Sequence, residues 1–248
     1  MILHRATVRT AALCHARIDP GGADPLRPGR RLRVTGYGLR MEQMQESTSQ
    51  MVSGRAVDEI DHARAQEYAL LSILLSRSPD MPMVGRLALL RGDASPLGIA
   101  HTALGEAASR ATAESVSREY FDLFAGLGKG LLLPYASHYL TGSLYGRPLG
   151  RLRETLQQYG IERVAGNSEP EDHVAILCEI MAGLISGDIA GPAGLDREFF
   201  ETHLASWIRR FFVDLEQAKS IDFYAHVGSL GRTFVDIETE AFALSSDI

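Results

Sequence analysis

The chain has 248 residues, 45% apolar and 23% charged, with a net charge of −6. That apolar content is enough to bury a full core, which excludes wholesale disorder, and its two cysteines, Cys14 and Cys178, are too few for a disulfide framework. No apolar run reaches the roughly 20 residues needed to span a bilayer, so stable membrane insertion is not expected and a reducing, cytoplasmic setting is.

In chain order, the first 40 residues stand apart. Eight arginines against two aspartates leave them at +6, so the remaining 208 residues carry −12. An acidic body of that size repels phosphates, and nucleic acid is not an expected partner. Residues 1–55 are rich in Gly, Pro and polar side chains and lack helical periodicity. They read as a disordered or non-native N-terminal extension, with Met41 as an alternative start. Arg30-Arg31 could head an export signal, but VTGYGLRMEQMQ follows where 7 to 15 apolar residues would be required.

From 56 to 248 apolar residues recur at three and four, and no stretch alternates as a strand would. The fold class expected is all-α. Val57, Ile60, Tyr68, Leu71, Leu74 and Leu75 define a first long helix that Pro79 and Pro82 stop. Shorter helices follow over 84–90, 97–110 and 113–124. Gly126, Gly128 and Gly130 break the pattern, Pro134 restarts a short segment to Leu140, and a helix over 149–159 closes at Gly160.

A central helix spans Asn167 to Gly187. Ser168 stands at the N-cap, Glu171 completes a capping box, and Pro170 is tolerated in the first turn. Val174, Leu177, Cys178, Met181, Leu184 and Ile185 form a buried stripe. Asp172, Ile176 and Glu179 follow the neighbouring row, with Glu169 just ahead, so the helix should present negative charge beside its buried face. Residues 187–194, with three glycines and Pro192, are a candidate hinge between two helical lobes. Phe200, Leu204, Trp207, Ile208, Phe211, Phe212 and Leu215 then make one apolar helix face, and 223–242 forms the last helix.

Conventional catalytic signatures are missing. Gly126-Leu127-Gly128-Lys129-Gly130 lacks the spacing of a phosphate loop and reads as an interhelical connection. None of the eight histidines falls at metal-ligand spacing, so no metal site is expected, and no nucleophile elbow occurs. The acidic row can be read plainly as complementing a helix dipole. His173, however, lies near the apolar stripe and needs a polar partner, which the hydroxyls of Tyr135, Ser137 and Tyr139, after Pro134, could supply.

EPEDH at Glu169 to His173, followed by CEIM, resembles the signature helix of the TorD/DmsD family of cytoplasmic chaperones for molybdenum oxidoreductases. EYFDLFAGLGKGLLLPYASHYL from Glu119 and HLASWIRRF from His203 are similar to two further blocks of that family, although Ala136 stands where a Glu is common. The resemblance covers roughly Asp58 to Leu244, and the second block is closer to the branch linked to formate dehydrogenases. It implies a TorD-like bundle of about ten helices in two closely packed lobes over 56–248. The implied partners are a molybdoenzyme precursor and its twin-arginine signal peptide, with the chaperone a monomer or a domain-swapped dimer. It implies no enzymatic activity and no cofactor beyond weak guanine-nucleotide binding. The residues it assigns to the peptide are Glu169, Pro170, Asp172, His173 and Glu179 together with Pro134, Tyr135, Ser137 and Tyr139. The competing expectation is a small helical enzyme using Asp172, His173 and Glu179 as an acid-base or metal site.

Overall fold

The computed structural model describes residues 33–34, 59–125, 130–163, 169–219 and 221–244. Ten α-helices run in order: α1 (Glu59–Ser76), α2 (Met81–Leu87), α3 (Pro96–Arg110), α4 (Ala113–Tyr120), α5 (Ala136–Thr141), α6 (Arg147–Gln158), α7 (Val174–Ser186), α8 (Leu195–His203), α9 (Ile208–Glu216) and α10 (Phe223–Leu244). They are accompanied by a π-helical turn at Phe121–Ala125 and, among the described residues, one parallel pair of two-residue strands, β1 (Arg33–Val34), ahead of α1, with β2 (Glu162–Arg163). The all-α class holds.

Local chemistry sets most of the boundaries. Pro82 does not stop a helix: it sits in the first turn of α2, where no N–H is needed, while the Asp80 carboxylate accepts from the Met83 N–H at 2.9 Å. Ser95 caps α3 in the same way ahead of Pro96, and Thr112 with Ser115 forms a reciprocal capping box on α4.

α7 is the centre of the bundle. Every residue from Val174 to Gly183 is buried, and α1 packs along its length. A helix buried on all sides carries apolar residues all round, and VAILCEIMAGLIS has a single charge in thirteen positions. α10 packs on α3 and more closely on α9. A Cβ placed on Gly228 would lie 2.4 Å from the Glu216 backbone nitrogen, so the two helices approach as only glycine permits.

Charged groups tie the helices together. The Arg64 guanidinium of α1 donates to both Glu238 oxygens on α10 (2.7 and 2.9 Å), to Asp61 (2.9 Å) and to Asp196 in the first turn of α8 (3.1 Å). His101 of α3 pairs with Glu67 of α1 at 2.9 Å. Glu119 accepts from the N–H groups of Asp222, Phe223 and Tyr224, capping α10 from across the fold.

The single apolar face expected from Phe200 to Leu215 is broken. Leu204 and Ala205 both donate to the Phe200 carbonyl at 2.9 Å, ending α8, and the freed His203 carbonyl accepts from the Trp207 indole N–H at 2.7 Å. A buried indole needs such an acceptor, and the turn provides it where a continuous helix would not. Trp207 thereby fills the α8–α9 corner with only 2% of its surface exposed.

Two substitutions test this packing. Trp207→Ala should cost about 3 to 5 kcal/mol through the cavity it leaves. Gly228→Ala should cost about 1 to 3 kcal/mol by forcing α10 from α9. Urea unfolding measures both, and a midpoint unchanged from the parent would contradict the geometry at that position.

Candidate functional site

Two segments distant in sequence meet at the N-terminus of α7. The Val174 N–H donates to the Pro134 carbonyl at 2.8 Å and the Ala136 N–H to the Asp172 carbonyl at 3.0 Å. Tyr135 and His173 are thus antiparallel bridge partners, and their rings stand edge to face at 5.2 Å. The Asp172 carboxylate then accepts from the Ser137 N–H at 2.8 Å, capping the short helix α5. Ser137 Oγ accepts from the Tyr145 N–H at 3.0 Å, holding a residue whose φ of 69° an L side chain rarely adopts. The Tyr135 hydroxyl donates to Glu169, and the Pro170 carbonyl accepts from the His173 N–H at 3.1 Å, which closes a tight turn.

This pairing moves the helix start. Val174, not a residue near Ser168, begins α7, because the bridge to 134–136 holds Asp172 and His173 out of the helix, His173 being extended. His173 is the N-cap, its Nδ1 accepting from the Ala175 N–H at 3.1 Å, so its polar partner is the backbone and not a hydroxyl. Ser168 lies outside the described residues, as do residues 126–129 of the Gly-Lys loop.

The negative charge expected beside the buried face is itself buried. Asp172 is 1% exposed and Glu179 4%. Asp172 Oδ1 and Glu179 Oε1 accept no hydrogen bond among the described residues. Burial pushes the Glu179 carboxyl up to about 8, and burial lowers His173 to about 4 against the opposing pull of Asp172. Tyr135 is raised by burial and by its bond to Glu169.

The structure therefore gathers Pro134, Tyr135, Ser137, Glu169, Pro170, Asp172 and His173 into one cluster. Tyr139 turns away to α9, where its hydroxyl donates to Asp214 at 3.0 Å and its ring lies beneath the Arg210 guanidinium and 5.6 Å from that of Trp207. Glu179 sits six residues beyond His173, about 9 Å along the helix, and shares no hydrogen bond with the cluster. Asp214, Arg210 and Tyr145 were not expected here. Only Tyr145 left a local trace, in standing directly before a glycine that also has positive φ. Among the described residues no group of three or more His, Cys, Asp or Glu could hold a metal ion, and no helix is long and apolar enough to cross a membrane.

Comparison with known proteins bears on the same region. Residues 91–213 match the family model described as nitrate reductase delta subunit. The chaperone protein TorD of Aliivibrio fischeri is 31% identical over 138 residues, 52% of this chain and 64% of that protein. TorD of Aliivibrio salmonicida is 29% identical over 153 residues, 57% and 71% of the two chains. The chain belongs to the TorD/DmsD family. It spans 64% of the length of the first TorD relatives it matches. A solved structure from Archaeoglobus fulgidus, whose description assigns it provisionally to the redox enzyme maturation proteins, is 21% identical with a TM-score of 0.48, covering 76% of this chain and 99% of that one. The matched family region, 91–213, contains the whole Tyr135–His173 cluster.

The two buried groups titrate in opposite senses. Glu179, raised in the folded state, contributes stability below its ordinary value of 4.5 and loses it as pH rises to about 8. His173, lowered in the folded state, contributes above 6.5 and loses its contribution as pH falls to about 4. Relative to the parent, Glu179→Gln should therefore gain about 1.4 kcal/mol per pH unit between pH 6 and 7.5. His173→Asn should gain on the parent as pH falls from 6.5 to 5. Urea midpoints at pH 5, 6.5 and 8 read both, and a pH-independent gap would show that the groups do not titrate in these windows.

Proposed function

We propose that the chain is a cytoplasmic chaperone that binds the twin-arginine signal peptide of a molybdenum-cofactor oxidoreductase precursor and holds the precursor for maturation before export. The observation that carries this reading is the joining of the two family motifs, 134–139 and 169–173, into one cluster at the head of α7. Membership of the TorD/DmsD family supports the chaperone role.

The chemistry of such a ligand suits the cluster. A signal peptide offers guanidinium groups followed by an apolar stretch, and a guanidinium favours carboxylate oxygens that accept two parallel hydrogen bonds. Asp172 keeps one oxygen without a donor, and Glu169 lies at the rim. Leu140 and Tyr145 expose apolar surface in the same segment. Since Asp172 is buried, a guanidinium reaches that oxygen only through a local displacement of the segments around it. No bond is made or broken in this role, and no residue is assigned to catalysis.

A four-way calorimetric titration tests the reading. Asp172→Asn combined with Glu169→Gln keeps acceptors for the Ser137 N–H and the Tyr135 hydroxyl and should keep the fold. It should weaken binding of a twin-arginine signal peptide by about 2 to 5 kcal/mol. Replacing the peptide's two arginines by lysines should weaken binding to the parent but matter much less to the double variant, because both changes remove the same interaction. Losses that add within about 0.5 kcal/mol would mean that the carboxylates serve the fold alone.

A further inference from the structure

Residues 142–146 connect α5 to α6, and three of them adopt left-handed backbone: Gly142 (φ 76°), Tyr145 (φ 69°) and Gly146 (φ 78°). Glycine takes this conformation at no steric cost, and the chain uses it at two of the three positions. At the third stands an aromatic residue, for which a positive φ is an outlier. Packing does not offset that cost. Tyr145 is 58% exposed, and among the described residues it makes no ring stack, no cation contact and no hydroxyl hydrogen bond. Its backbone holds it instead: the Tyr145 N–H donates to Ser137 Oγ at 3.0 Å, and the Ser137 N–H donates in turn to Asp172 at 2.8 Å. The side chain reaches the same neighbourhood. The Tyr135 hydroxyl is raised by burial first, then by its bond to Glu169, and Asp172 and the Tyr145 phenol add to that shift. An aromatic residue kept in a strained backbone, exposed beside two carboxylates, has its use in what it meets, because such strain gathers at ligand sites.

We propose that Tyr145 determines the arginine specificity of the peptide site: its ring is the stacking face for a ligand guanidinium whose charge Glu169 and Asp172 receive. The inference rests on the signal-peptide reading above. A guanidinium is a flat ion whose edge donates two parallel hydrogen bonds while both faces stay free, so it can lie on a ring and reach a carboxylate at once. An ammonium has no such face and directs its charge at one or the other. The negative face of a tyrosine ring attracts a cation within about 6 Å of its centroid. The chain makes this contact itself in the same segment, where the Arg210 guanidinium lies 5.4 Å over the Tyr139 ring. Stacking on Tyr145 orders only two side-chain torsions, since the bond to Ser137 already fixes the backbone beneath them.

The test titrates a synthetic twin-arginine signal peptide, and the same peptide with lysine at both positions, into the full chain and into its Tyr145→Gly and Tyr145→Phe variants, with urea unfolding of each. Tyr145→Gly removes the ring and relieves the backbone, because glycine accepts a φ of 69° and keeps its N–H on Ser137, so its urea midpoint should equal or exceed the parent's. Its Kd for the arginine peptide should nonetheless rise about tenfold, while its Kd for the lysine peptide changes by less than about threefold. Tyr145→Phe keeps the ring face and should recover most of the loss. In Tyr145→Gly, an arginine-peptide Kd within about twofold of the parent's, or an equal loss for both peptides, would overturn the inference and leave the signal-peptide reading standing. So would a loss as large in Tyr145→Phe. A lowered urea midpoint together with lost binding would also overturn it, because the ring would then serve the fold. If no form binds either peptide, the signal-peptide reading falls and this inference with it.

Discussion

One carboxylate joins the two halves of the candidate site. Asp172 stands in a turn before the central helix, yet its Oδ2 caps α5, a helix that begins 36 residues earlier. Flanking it, the Pro134, Ala136, Asp172 and Val174 backbones exchange two hydrogen bonds, so the head of α7 and the start of α5 form one unit. An uncapped α5 would leave a buried N–H unsatisfied, a cost of about 1 to 3 kcal/mol. The cluster of Tyr135, His173 and Glu169 exists because this link positions both strands of the bridge. The same carboxylate keeps its other oxygen without a partner among the described residues.

The rest of the bundle uses buried charge in a similar way. Arg64 gathers carboxylates from α1, α8 and α10, and Glu119 satisfies three N–H groups at the head of α10. Each of these groups joins elements that are far apart in sequence. Removing one partner of such a set strands the others in a low-dielectric interior, so these contacts select one arrangement of helices over alternatives of similar apolar burial. Glu179 is the exception. It lies in the same core with no ionic partner among the described residues, and burial alone holds it protonated near neutral pH. The central helix therefore carries a proton where its neighbours carry ion pairs.

The sequence by itself determined the all-helical class and most of the helices in their order. Apolar spacing and the closing Gly160 act within a few residues, so they are legible in a single chain, whereas Pro82, expected to stop a helix, stands in the first turn of α2. The motif EPEDH could be picked out by its residue types alone, as a segment resembling the family's signature. Tertiary structure alone decided that this segment is a bridged turn and not a first helical turn, since the competing hydrogen bonds come from Pro134 and Ala136. It likewise decided that Asp172 and Glu179 are buried. A carboxylate on a helix has the same local pattern whether water or another helix faces it, and here α1 and the 134–137 segment cover what the period of 3.6 alone would leave exposed. The break at Trp207 has the same origin: its indole finds an acceptor only where two helices meet at a corner, and nothing within four residues of it announces that corner.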